Sequence, residues 1–65
     1  MKIILNGKPA DVECNTLAQL LELLEHDERS VVTAVNKEFV PKVERASTQL
    51  ADNDLVEIIA PMAGG

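Results

Sequence analysis

The chain has 65 residues, of which 46% are apolar and 26% charged. A chain of this length buries only about 60% of the surface that its unfolded form exposes, so we expect one small domain without a deep substrate cavity. Six Lys and Arg against eleven Asp and Glu give a net charge of −5, and Phe39 is the single aromatic residue. Nucleic-acid binding needs cations and often stacking aromatics. The composition therefore favours a binding module or carrier with a protein partner.

Cysteine content and hydropathy indicate the cellular compartment in which we expect the protein. Cys14 is the only cysteine, which excludes an internal disulfide. Small secreted domains usually depend on disulfides, so we expect a cytoplasmic protein. No apolar run approaches the about 20 residues of a membrane span, and we expect no membrane partner. No sequence-adjacent base activates the Cys14 thiol, and one Cys with His26 makes no zinc site. We interpret Cys14 as a buried or idle thiol.

The first third of the chain predicts a β-hairpin. Residues 2–6 are β-prone and end at Asn6-Gly7, the sequence most typical of a type I′ turn. Residues 8–13 then form the returning strand. Pro9 donates no hydrogen bond, so it must lie near the start of that strand or on an edge.

A helix follows the hairpin. Thr16 and Gln19 have the spacing of a capping box. A stripe of leucines recurs at helical spacing: Leu17, Leu20, Leu21 and Leu24, widened by Leu23. We expect this stripe to be buried and the helix to end around His26 or Asp27.

The second half of the chain predicts three more strands. Residues 31–35 are a β-branched run, residues 39–40 a short strand stopped by Pro41, and residues 55–60 the last strand. Residues 42–49 predict a short helical turn, with Leu50 anchored in the core. Asn53 lies in a turn and tolerates the left-handed conformation. The order is β-β-α-β-β-β, an α+β fold with one principal helix on a mixed sheet.

Strand alternation predicts which side chains face away from the helix. Glu57 should face solvent, which turns Val56 and Ile58 inward and Leu55 and Ile59 outward. The same reasoning places Ile3, Leu5 and Val32 in the core. It predicts an outward, partner-binding patch of Ile4, Val35, Leu55 and Ile59, near Met62. The alternative is that these are scattered surface apolar residues, which are common.

The C-terminal residues carry the clearest chemical signal. The sequence ends in Gly64-Gly65, which adds nothing to a core. A frayed terminus is one interpretation. The other is a terminal carboxylate that ATP activates as an acyl-adenylate, on a tail slim enough to thread a narrow channel. We therefore predict a domain over residues 1–60 and a flexible tail over residues 61–65, in which Met62, Ala63 and Gly64 thread and Gly65 is modified. Such a tail reaches about 17 Å when extended.

Element order, length and the terminal Gly-Gly together resemble the β-grasp, ubiquitin-like sulfur carriers of thiamin biosynthesis, the ThiS family. The resemblance covers essentially the whole chain. Its segments are Ile3-Ile4-Leu5-Asn6-Gly7, Thr16-Leu17-Ala18-Gln19-Leu20-Leu21, Ala34-Val35-Asn36 with Val40-Pro41, and Asp52-Asn53-Asp54 with Val56-Glu57-Ile58. The chain departs from the family pattern at Asn53, where glycine is usual, and at Arg45, where an aromatic is frequent.

The resemblance implies a carrier rather than an enzyme. An E1-like, ThiF-like enzyme would adenylate Gly65 using ATP and Mg²⁺, and a sulfur donor protein would supply the sulfur of a thiocarboxylate. A ThiG-like thiazole synthase would then accept that sulfur. The chain itself would bind no cofactor or metal.

Three alternatives remain open from the residues. The small subunit of molybdopterin synthase shares the fold and the tail, but that family usually runs to a greater length. A ubiquitin-like modifier would need a conjugation cascade that the sequence does not reveal. A β-grasp regulatory module would keep its function after Gly64 and Gly65 are removed.

Overall fold

The computed structural model describes residues 1–60. The elements, in chain order, are β1 (Lys2–Leu5), β2 (Lys8–Asp11), α1 (Leu17–Leu23), β3 (Val32–Val35), β4 (Glu38–Val40), a 3₁₀ helix (Lys42–Ser47) and β5 (Leu55–Ile59). The five strands form one sheet in the order β2-β1-β5-β3-β4. β1 and β5 are parallel, whereas the other neighbours are antiparallel. Neither helix in this part of the chain is long and apolar enough to cross a membrane.

Each of the two hairpins, β1–β2 and β3–β4, is closed by one turn, and both turns are of the same type. Asn6 and Gly7 have φ values of 49° and 83°, and Asn36 and Lys37 have values of 53° and 69°. Both turns therefore have the two positive φ values of type I′, whose twist matches that of paired strands. The first confirms the prediction from Asn6-Gly7. Asn53, at φ 71°, also adopts the predicted left-handed conformation.

The start of α1 follows the predicted capping pattern with a shift of one residue. The Thr16 hydroxyl accepts a 3.2 Å hydrogen bond from the backbone N–H of Gln19. The Gln19 side chain accepts a 2.7 Å bond from Asn15 N–H, one residue before the cap that the usual capping box would serve. The two bonds together satisfy donors at the helix entrance.

The helix ends earlier than predicted, at Leu23 rather than near His26 or Asp27. Glu25 adopts φ 60°. His26 N–H donates to Leu21 O and Glu25 N–H to Glu22 O, which is the Schellman pattern of a helix end. A single left-handed residue thus stops the helix, and no local glycine signals it.

The core lies between α1 and one face of the sheet. The buried apolar residues are Ile3, Val12, Leu17, Leu20, Leu21, Val31, Val40, Leu50, Val56 and Ile58. Leu5 and Leu24 are only partly buried and pack against this cluster. Leu23, predicted to widen the apolar stripe, is 52% exposed, because at 100° per residue it lies roughly 120° around the helix from Leu17.

Arg45, on the 3₁₀ helix, is only 4% exposed and occupies the position where the family resemblance predicts an aromatic. Its guanidinium donates three hydrogen bonds: to Thr33 Oγ1 at 3.1 Å, Glu28 O at 2.6 Å and Val31 O at 2.7 Å. A buried cation is tolerated only when its donors are satisfied. Arg45 therefore links the 3₁₀ helix to β3 and to the loop that precedes it.

Candidate functional site

The candidate site is the C-terminal end of β5 with the sheet face that points away from α1. β5 is the central strand, paired with β1 on one side and with β3 on the other. It leads directly toward the glycine-terminated segment. The structure describes none of the predicted tail residues, which are Met62, Ala63, Gly64 and Gly65. The prediction that residues 61–65 are flexible also falls outside the described residues. The structure therefore defines the strand from which that segment continues.

The alternation predicted for β5 is confirmed. Val56 and Ile58 are buried against the core, whereas Leu55 and Ile59 are 39% and 59% exposed. Ile4 lies opposite Leu55 across the parallel β1–β5 pair, so the two side chains share the outward face. Three of the four predicted patch residues are thus brought together on that face.

The fourth predicted patch residue, Val35, is misplaced by the sequence prediction. It is directly opposite Val56 and packs partly buried against the core. Val32, predicted to be in the core, is instead 46% exposed and lies opposite Ile59. The two valines of β3 have exchanged the faces that the sequence predicted for them.

Thr33 explains the exchange. It is fully buried, although a polar residue in a strand normally indicates the solvent face. Its hydroxyl donates to Val40 O at 2.8 Å and accepts from Arg45 Nε at 3.1 Å. Because both bonds are made inside the fold, burying Thr33 leaves no unsatisfied polar atom, and Val32 is turned outward.

The outward face also extends further than predicted. Phe39, on β4, is 66% exposed and lies opposite Ala34, which in turn lies opposite Glu57. Directly opposed residues share a face, so Phe39 belongs to the same surface. We define the outer face as Ile4, Val32, Phe39, Leu55 and Ile59 around Glu57. Period-two alternation along β4 would have found Phe39 once β3 was in the correct register.

Cys14 lies apart from the outer face, half-buried and packed against the core. Burial raises the pKa of its thiol, and the positive N-terminus opposes that shift only in part. The nucleophilic thiolate is therefore scarcer than in a free cysteine, in agreement with a packing role. Within residues 1–60, no group of three His, Cys, Asp or Glu side chains is arranged to hold a metal ion.

A mixed five-stranded sheet with one helix on one face, a central last strand and a Gly-Gly terminus defines a class: the small β-grasp carriers. The ThiS family model matches residues 3–65. The sulfur carrier protein ThiS of Thermus thermophilus is 36% identical over 61 residues, which are 94% of this chain and 95% of that protein. The chain belongs to the ThiS family, and its function is that of a sulfur carrier.

Solved structures show the same fold. The crystal structure of the thiamine biosynthesis protein ThiS from Geobacter metallireducens matches with a TM-score of 0.85 at 29% identity, covering all of both chains. The solution structure of a thiamine biosynthesis protein from the same organism matches with a TM-score of 0.84 and covers 88% of that chain. The predicted β-grasp fold is therefore confirmed.

A further relative is a longer protein. A thiazole synthase of Paramagnetospirillum magneticum is 36% identical over 66 residues, which cover all of this chain but only 20% of that protein. A segment resembling this chain is thus contained within a larger polypeptide.

Proposed function

We propose that this sulfur carrier works through the carboxylate of Gly65. An E1-like enzyme with ATP and Mg²⁺ would join that carboxylate to AMP and release pyrophosphate. Sulfur at the oxidation level of sulfide, delivered by a donor protein, would then attack the acyl carbon, break its bond to AMP and leave a thiocarboxylate. The observation that carries this proposal is the family match, which runs through Gly64-Gly65 to the end of the sequence. The chain presents a chemical group and would bind no cofactor itself.

We propose thiazole synthase as the sulfur acceptor. The Paramagnetospirillum protein of that name contains a segment similar to this whole chain. Joining two partners in one polypeptide turns their encounter into an intramolecular event with a high effective concentration. Such a fusion is advantageous when the carrier segment and the synthase segment must bind each other. The fusion therefore supports the proposal that this chain binds a thiazole synthase that is a separate polypeptide.

We propose the outer face as the surface that docks the activating and accepting enzymes. Four of its apolar side chains are exposed: Val32, Phe39, Leu55 and Ile59. Leu55 and Ile59 lie on β5, the strand that leads to the reactive terminus. A contiguous exposed apolar surface is typical of a protein interaction site. Val32 takes the place that the sequence assigned to Val35, since only Val32 is available to a partner on this face. The net charge of −5 favours a basic surface on the partner.

The experiment is loading of the terminus. The chain is incubated with an E1-like enzyme, ATP, Mg²⁺ and a sulfur source, and its intact mass should rise by the difference between one sulfur and one oxygen atom. Deleting Gly65 withdraws the carboxylate by about 3.5 Å. Reacting atoms must approach within about 3–3.5 Å, so pyrophosphate release should cease.

A bulky substitution, Gly64→Val, is the companion variant and should impair adenylation by steric exclusion. Circular dichroism should show both variants folded, because the buried core is formed by residues between Ile3 and Ile58. If both variants are adenylated as well as the parent chain, activation at Gly65 is refuted.

A further inference from the structure

The side chain of Asn6 makes hydrogen bonds to the end of β5 at the point where the backbone of β1 no longer pairs with it. The parallel β1–β5 ladder runs through Ile4 N–H to Asp54 O and Asn6 N–H to Val56 O, each 2.9 Å. Its next two bonds would join Ile58 N–H to a main-chain carbonyl and Ile58 C=O to a main-chain N–H. The chain cannot supply them, because it turns away at Asn6 with φ 49°.

The Asn6 carboxamide makes both bonds instead. Its Oδ1 accepts from Ile58 N–H at 2.9 Å, and its Nδ2 donates to Ile58 O at 3.2 Å. Both bonds are part-buried and join residues 52 apart in sequence. On the other side of the strand, Ile59 is opposite Val32 of β3. The end of β5 is therefore paired on both sides: with the backbone of β3 on one side and with the Asn6 side chain on the β1 side.

We infer that Asn6 is a positioning residue for the reactive terminus, holding the end of β5 in the direction from which the chain continues to Gly65. This inference rests on the proposed function. A partner that binds the outer face and the terminus together needs a defined geometry between them. A carrier whose strand end is already ordered loses less conformational freedom on binding than one whose strand end frays. Only the ordered fraction of the carrier is competent to bind.

The molecule contains a matched control at the opposite end of the same strand. Asn36 is also the first residue of a type I′ turn, at φ 53°. Its Oδ1 accepts from Leu55 N–H at 3.0 Å, and its Nδ2 donates to Asp54 Oδ1 at 3.1 Å. Asn36 thus anchors the start of β5 through Leu55, and its second bond reaches the side chain of Asp54 just before the strand. Both asparagines therefore support the same strand, but only the end held by Asn6 leads to the terminus.

The test compares Asn6→Gly with Asn36→Gly, since glycine keeps the left-handed backbone without strain. Amide hydrogen exchange in the free carrier and the kinetics of pyrophosphate release by an E1-like enzyme are measured for both. Asn6→Gly should expose Ile58 N–H to faster exchange and raise the carrier's KM by about three- to tenfold, the effect of roughly one hydrogen bond. The kcat should be unchanged, because the bound complex re-forms the strand end. Asn36→Gly should leave KM unchanged.

Circular dichroism first establishes that each variant is folded. Should Asn6→Gly unfold, Asn6→Asp replaces it, because Asp tolerates the left-handed conformation. Its carboxylate still accepts from Ile58 N–H but sets a second acceptor oxygen against Ile58 O in place of the donor, so its KM should still rise. Equal KM changes for the two positions, or no change at Asn6, would overturn the positioning role. A parent chain that releases no pyrophosphate would overturn the proposed function itself and this inference with it.

Discussion

Replacing Arg45 is expected to test the most unusual contact in the core. The guanidinium donates to Thr33 Oγ1, Glu28 O and Val31 O while only 4% of the residue is exposed. Arg45→Ala removes all three donors and leaves the space of a long side chain. Each buried acceptor that loses its partner costs about 1–3 kcal/mol. The two acceptors in buried bonds, Thr33 Oγ1 and Val31 O, therefore cost roughly 2–6 kcal/mol together.

That loss is large for a domain of this size. At about 0.05–0.15 kcal/mol per residue, a 65-residue chain has a free energy of unfolding of roughly 3–10 kcal/mol. Urea denaturation followed by circular dichroism should show Arg45→Ala largely unfolded, or with its midpoint strongly lowered. Arg45→Lys keeps the charge but cannot spread its donors over three acceptors, so it should fall between the parent and the alanine variant.

A double-mutant cycle that combines Arg45→Ala with Thr33→Val measures the coupling energy of the Arg45–Thr33 hydrogen bond, the contact that favours the inward orientation of Thr33 on β3. Residues in one hydrogen-bond network show coupling energies of about 0.5–3 kcal/mol, and we expect a value in that range for Arg45 and Thr33. A cost below about 1 kcal/mol for Arg45→Ala would refute the reasoning. It would mean that the desolvation of the buried cation cancels the three bonds.

Further predictions concern the outer face, the helix end and the thiol. Ile59→Asp should fold normally but weaken binding to the activating or accepting enzyme by about tenfold or more, measured by calorimetry; unchanged binding would place the docking surface elsewhere. Val32→Asp should likewise fold, whereas Val35→Asp should unfold in urea at a much lower concentration, and the reverse order would refute the assigned faces of β3. Glu25→Gly should raise the free energy of unfolding by about 1 kcal/mol, because it relieves a left-handed non-glycine residue. Cys14→Ser should still be loaded with sulfur at Gly65, and a folded variant that cannot be loaded would give Cys14 a chemical role.

The features that the sequence predicted correctly depend on short-range signals. Asn6-Gly7 indicated a type I′ turn because few residues accept two positive φ values. Thr16 and Gln19 indicated the helix start because the capping bonds join residues three or four apart. The inward and outward alternation of side chains along β5 could be predicted because the charged Glu57 stands between two apolar residues, which are both buried in the structure.

The misplaced features depend on contacts between distant parts of the chain. Thr33 faces inward because Arg45, 12 residues away, satisfies its hydroxyl, and that choice decides which valine of β3 reaches the outer face. In a strand, the same residues serve either face after a shift of one position, so β3 alone does not determine its own orientation.

What the sequence by itself determined is the order of elements, the local turns and the glycine terminus on which the proposed carrier chemistry depends. Tertiary structure decided the composition of the outer face and the hydrogen bonds between Asn6 and Ile58, residues that lie 52 apart in sequence. The physical reason is that a buried polar group adopts the orientation in which its partners are available. Those partners become neighbours only when the sheet and the 3₁₀ helix have assembled.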